Sequence, residues 1–236
     1  MSNLTNELTD FFTGENEELI KWGIADLIQF SQYQSHAKYP EHLIQHPRLR
    51  EFPKAMSICL AYSPVFETYN ENKFHSLLKT VRSQMDDITS RVSALLKSRG
   101  IEHFVIPQGG QEPETQLAMF SHKFAAVHAG LGWIGKSSLL ITNAHGPRVY
   151  LATILIDSDI PTGEALLESS CGNCDACVTA CPHGYIKGVK WYPGVPRDKL
   201  IDVHNCNNYR KRAIDIIGHV DECGLCLVAC PFGEAK

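Results

Sequence analysis

Nowhere in its 236 residues does this chain present a run approaching 18 consecutive apolar residues, which excludes an ordinary membrane-spanning helix. Its opening stretch, MSNLTNELTDFFTGENEELIKW, lacks the basic segment and apolar run of an export signal. Positive charge is not in excess either: 22 Lys and Arg face 26 Asp and Glu, a net charge of −4. That leaves no global basic field of the kind non-specific nucleic-acid binding uses. A soluble, cytoplasmic protein with no membrane partner is the expectation. With 44% hydrophobic residues the chain can bury the core of one medium domain and a smaller one beside it.

Cysteine is scarce over the first 170 residues, where Cys59 stands alone in an apolar run, and then eight cysteines fall between 171 and 230. In a reducing compartment such a cluster points to metal ligation or redox chemistry. CGNCDACVTACP supplies Cys171, Cys174, Cys177 and Cys181; CGLCLVACP supplies Cys223, Cys226 and Cys230; Cys206 stands apart between them. The first run matches the bacterial ferredoxin signature, in which three close thiolates cap one iron–sulfur cube and the fourth crosses to the other. On that rule Cys171, Cys174, Cys177 and Cys230 hold one [4Fe–4S] cluster, and Cys181, Cys206, Cys223 and Cys226 the second. Zinc knuckles or a disulfide framework fit worse, because they leave the third cysteine and the C-x3-C-P ending unexplained. Cys59 reads as an inert buried thiol.

The composition shift divides the chain near residue 165: an α/β domain over 1–165 and a ferredoxin-like domain over 166–236, with SDIPTGEALLESS as a linker. Leu4, Leu8 and Phe11 predict a short helix, and Ile20 to Ile28 either a second helix or a strand. AMSICLAY (55–62) predicts a buried strand. From 72 to 98, apolar residues recur at spacings of three and four, the clearest amphipathic helix in the chain. HFVIP (103–107) predicts a strand and LAMFSHKFAAVHA (117–129) a helix. SLLIT and RVYLATILID are expected to be strands joined as a hairpin by NAHGP.

Between helix and hairpin lies AGLGWIGKSSLL (129–140), which satisfies both GxGxxG and GxxxxGKS. Either phosphate loop must follow a strand and open a helix. Here a helix precedes the loop and β structure follows it, so a nucleotide is not expected. Two readings stay open on the residues alone: tight turns around a buried Trp133 and Ile134, or glycines letting a flat ligand approach Trp133.

HAGLGWIGKSSLLIT, GPRVYLATILID and the two ordered cysteine runs together resemble the epoxyqueuosine reductases, a family related to the core of the reductive dehalogenases; the resemblance runs from about 117 to 232. It implies a nitroreductase-like first domain that holds cobalamin with no protein ligand beneath cobalt. It also implies clusters that reduce cobalt to a Co(I) nucleophile, and removal of an epoxide oxygen from a modified tRNA base. Carried over, Gly130, Gly132, Trp133, Ile134, Gly135 and Lys136 would line the corrin, with Asn207, Asn208 and Tyr209 near it. His204, in DVHNCN, would neighbour a cluster loop rather than bind cobalt.

Two departures bear on the substrate. The family's proton-donating Asp has no counterpart in PQGGQEPETQLAMFSHKF, where Glu112 and Glu114 are the available carboxylates; Tyr62, Tyr150 and Tyr209 are other candidate acids. The chain also ends soon after Cys230, where the tRNA-modifying enzymes continue into a repeat region. With the acidic balance this argues against tRNA and for a small-molecule or modified-nucleoside substrate. A low-potential donor such as a ferredoxin or flavodoxin would supply electrons. The rival readings are an electron-transfer or corrinoid-reducing partner protein, a flavin-dependent dicluster reductase, and a true tRNA epoxide reductase with a relocated acid. His36, His42 and His46 are read as loop residues, His122 and His128 as structural, and His183 and His219 as solvent-exposed flanks of the cysteine runs.

Overall fold

A computed structural model describes residues 2–28, 51–63, 71–109, 114, 116, 118–212 and 223–233. The readings of His36, His42, His46, Glu112 and His219 fall outside them. The fold is mixed α/β. Helix α1 (Ser2–Asn16) leads into strand β1 (Ile20–Asp26), which resolves the ambiguity at 20–28 in favour of a strand. Strand β2 (Lys54–Ala61), helix α2 (Glu71–Ser98), strand β3 (His103–Val105) and helix α3 (His122–His128) follow as expected, α3 starting five residues late with Ser121 as its cap. Short strands β4 (Trp133–Ile134) and β5 (Leu140–Ile141) precede the long β6 (Val149–Ile156). Helices α4 (Ala176–Ala180), α5 (Arg197–Leu200), α6 (Val203–Arg212) and α7 (Leu225–Val228) carry or flank the cysteines.

The main sheet has the order β1-β2-β6-β3, and every neighbouring pair is antiparallel. Along β2, Met56, Ile58 and Leu60 face α1 and α2, where they meet Leu8, Phe12, Val81, Met85, Val92 and Leu96. The alternate residues Ala55 and Cys59 face α3. With both faces covered the strand reads as a continuous apolar run rather than an alternating one. Each large side chain so buried contributes about 1.5–3 kcal/mol relative to exposure. Small residues on the α3 side let that short helix lie close: Ser57 pairs directly across from Thr153, and the His122 Nδ1 meets the Thr153 Oγ1 at 2.9 Å.

The expected hairpin through NAHGP does not form between SLLIT and RVYLATILID. Thr142 and Gly146 do close a tight turn, but β5 pairs with β4 while β6 pairs with β2 and β3. Both edges of β6 are taken by longer strands, so β5 folds back onto the glycine loop instead. The stretch read as a linker is likewise packed: Ile160 is buried in the core, Gly163 N–H donates to the Ile24 carbonyl, and Leu166 N–H donates to the Val127 carbonyl. No helix among the described residues is long and apolar enough to cross a membrane.

Burial holds His128, packed on Phe124 in α3, at a pKa of about 4, and His122 at about 4 for the same reason. Both are lowered from their unfolded values, so the unfolded chain binds more protons between pH 6.5 and 4. Stability is then full above about pH 6.5 and falls as pH drops towards 4. Urea unfolding across that window should show His128→Gln losing roughly 1–3 kcal/mol less than the parent; equal losses would refute the assignment.

Candidate functional site

The eight cysteines from 171 onward are all half-buried and none is disulfide-bonded. Cys177 rides on α4 and Cys226 on α7, two short helices packed against each other. The sulfurs divide by their mutual repulsion. The Cys177 thiol is pushed up to about 11, first by burial, then by Cys171, Cys230 and Cys174. The Cys226 thiol is pushed up to about 12 by burial, then by Cys223, Cys206, Cys177 and Cys181. Burial chiefly raises Cys206 too, with Cys181 among its neighbours, and Cys230 feels Cys171 and Cys174. The structure thus brings together Cys171, Cys174, Cys177 and Cys230, and separately Cys181, Cys206, Cys223 and Cys226, with Cys177 the neighbour linking the two sets. Among the described residues no three His, Cys, Asp or Glu lie close enough to hold a single ion. Sulfurs so desolvated resist ionisation until a metal takes the proton's place. One donor is already aimed at them: Tyr185 N–H bonds Cys181 Sγ at 3.3 Å.

The glycine loop faces the first set. A Cβ on Gly135 would stand 3.3 Å from the Cys171 Sγ. Lys136, 5% exposed, donates from Nζ to the Asp175 Oδ1 at 2.6 Å, between Cys174 and Cys177. Trp133 and Ile134 are buried, with the Trp133 ring edge-on to Phe232 at 5.1 Å. Gly130 turns with φ 76° beside the Glu164 carbonyl, and Gly132 lies under the Ile141 carbonyl, which an added Cβ would meet at 2.2 Å. From the far side Arg148 donates to the carbonyls of Cys230 and Phe232.

A cavity of about 1010 Å³ opens beside the second set, with Cys206 in its wall, at the top of the about 300–1,000 Å³ usual for ligand sites. It is roofed by α2, β3, Tyr150 of β6 and α6, and among the described residues carries Arg82, Arg197, Arg210 and Lys211 against one carboxylate, Asp86. Burial holds the Arg197 guanidinium below its usual range, and one of its N–H groups donates to the Gln116 carbonyl at 2.8 Å. Arg82 Nε donates to the Tyr150 hydroxyl at 3.0 Å. Such walls suit a large ligand bearing an anionic group.

Of the residues named for a corrin, Asn207 lines this cavity and bonds through Nδ2 to the Gln116 Oε1. Residues 130–136 are not among its lining. Asn208 and Glu114 are exposed and lie outside it, as does His204. Tyr209 packs on His183, 4.3 Å between rings, which in turn stacks on Tyr185. Cys59 is buried and inert, its thiol pushed up to about 12 by burial. Sequence reasoning missed Arg82, Asp86, Gln108 and Arg197. The available signal was on α2, where Arg82, Met85, Asp86 and Thr89 share one stripe at helical spacing and line the cavity.

Gly132→Ala should cost roughly 2–4 kcal/mol in chemical denaturation, since the clash is with backbone rather than a movable side chain. A loss below about 1 kcal/mol would show that the loop can shift.

Residues 170–233 match the 4Fe-4S double cluster binding domain. The epoxyqueuosine reductase of Pseudomonas aeruginosa is 27% identical over 166 residues, 66% of this chain and 41% of the relative; the chain spans under half the length of the curated relatives it matches first. A solved epoxyqueuosine reductase with an epoxyqueuosine-modified tRNA stem loop shares the fold at TM-score 0.60 and 20% identity, over 99% of this chain and 67% of the other. A reductive dehalogenase studied for B12-dependent dehalogenation matches at TM-score 0.62 and 14% identity, over 92% of this chain and 30% of its own. The argument against tRNA gains no support from these: the stem loop sits on a protein of the same fold. The chain is therefore a double-cluster iron–sulfur protein that resembles the epoxyqueuosine reductases in sequence and shares its fold with them and with the reductive dehalogenases.

Proposed function

We propose that the chain is an iron–sulfur reductase whose clusters feed a ligand held in the basic cavity. Cys171, Cys174, Cys177 and Cys230 hold the first cluster, and Cys181, Cys206, Cys223 and Cys226 the second, within a cluster domain running from about 166. The observation that carries the reading is the place of Cys206, at once a member of the second sulfur set and a wall of the cavity. A ligand seated there is next to a cluster thiolate with no protein relay between them.

The cavity's size and charge fit cobalamin, a large corrinoid with a phosphate in its tail. Bound there, cobalamin supplies a low-valent metal able to reduce an electrophilic carbon. Arg197, Arg210 and Lys211 would meet the phosphate, and Met85, Val105 and Ile106 would give an apolar wall that excludes water. Asn207, tied to Gln116, steadies α6 between cluster and cavity. The family's acid being absent, the Tyr150 hydroxyl, oriented by Arg82 and facing Gln108 at 3.5 Å, is a candidate proton donor in the wall. The stem loop bound by a protein of the same fold makes an epoxide-bearing modified nucleoside of tRNA the first substrate to try, with a ferredoxin or flavodoxin as the electron source.

Anaerobic reconstitution should give about eight irons per chain from two cubes and one cobalt on adding cobalamin, read by metal analysis and absorption. Eight irons with flavin instead of cobalt would replace the corrinoid by a flavin, and eight irons with neither would leave an electron carrier. Cys206→Ser should remove iron from the second set alone and abolish reduction of the epoxyqueuosine stem loop; loss of the first set's signal would overturn the ligand assignment.

A further inference from the structure

We infer that Lys136 is a positioning residue for the first cluster: a buried ammonium that fixes the Cys171 side of the sulfur set and makes the cluster held there easier to reduce. The inference rests on the cluster assignment above and gives the glycine–lysine loop a task other than lining a ligand.

Three contacts place the loop against both ends of the ligand set. Gly135 leaves room for the Cys171 Sγ, which a β-carbon would crowd at 3.3 Å. Lys136 reaches over it to Asp175, whose backbone carbonyl accepts from Val178 and Thr179 at the start of α4, the helix of Cys177. Trp133 rests edge-on against Phe232, two residues past Cys230. The pair is lopsided in exposure: the Lys136 side chain is 6% exposed and that of Asp175 58%. Taking an ammonium out of water is costly, and a carboxylate that stays largely in water returns only part of that cost. A second, lasting negative charge on the buried side makes the placement favourable, and four metal-bound thiolates provide one.

The redox consequence follows from charge alone. Reducing the oxidised cluster adds one electron from the donor, with no bond made or broken and no proton taken up, so the cluster becomes more negative by one charge. A buried cation stabilises that form with little screening, while the opposing field of the exposed Asp175 is weakened by solvent. Lys136 therefore raises the potential of the Cys171-side cluster and leaves the second set, which it does not touch, close to unchanged.

The test is an EPR-monitored dithionite titration of the reconstituted full chain with iron counting on each variant. Lys136→Met should keep about eight irons and lower the reduced-to-oxidised ratio of one cluster on the order of tenfold at fixed potential, about 59 mV for a one-electron couple. Lys136→Arg should restore the parent value. Asp175→Asn, which keeps the ammonium and removes its counter-charge, should move the same couple upward and does not depend on Lys136→Met folding. Full iron with both potentials unmoved in Lys136→Met and Asp175→Asn overturns the inference alone. Equal damage in Lys136→Met and Lys136→Arg also overturns it, since shape rather than charge would then matter. A parent chain that takes up no iron overturns the cluster assignment and this inference with it.

Discussion

Thiolates repel one another, and this fold gathers eight cysteines from segments separated by dozens of residues. Burial makes the repulsion worse, as the raised Cys177 and Cys226 thiols register. The rest of the architecture can be understood as the means of forcing that meeting. Helices α4 and α7 pack against each other so that Cys177 and Cys226 are neighbours across the pair. The preceding part of the chain packs against the cysteine segment at two places. The α3 and β4–β5 layer meets Trp191 and Leu200 in a common apolar cluster, and Phe74 of α2 fills the space above Gly224.

The two sulfur sets consequently have different surroundings. The first is bounded by the glycine loop, an ammonium and the Arg148 guanidinium, and is closed in by backbone. The second opens, through Cys206, onto a roomy basic cavity. That asymmetry gives the pair a direction: one set is shaped by protein charge, the other borders a space for a ligand. Neither property could be assigned from the cysteine spacing, which says nothing of the charge or space around each set.

How far the sequence reached depends on the range of the interaction responsible. The double-cluster character of the cysteine segment was legible because thiolate spacing along short loops is a local constraint. Helix α2 and strands β2 and β6 were legible from periodicity and apolar runs. The failed hairpin was not, because what diverts β5 from β6 is competition from β2 and β3, a non-local matter. The cavity was hidden for the same reason. Arg82 and Asp86 look like a solvated helix face until β6 brings Tyr150 over them, and Arg197 and Arg210 come from beyond the first cysteine run. The glycine loop shows the limit most clearly: its spacing matched a nucleotide loop and the family resemblance implied a corrin, while its contacts with Cys171 and Asp175 appear only in the folded chain.

Arg148 donates to the carbonyls of Cys230 and Phe232, and Gly146 lies so close to the Phe232 carbonyl that there is no room even for a methyl group. The cysteine segment can be delimited by its pattern, but it is not a portable cartridge. A chimaera carrying residues 170–233 alone would arrive without one wall of its first metal site, and the smallest transferable unit includes the loop and turn from 130 to 148.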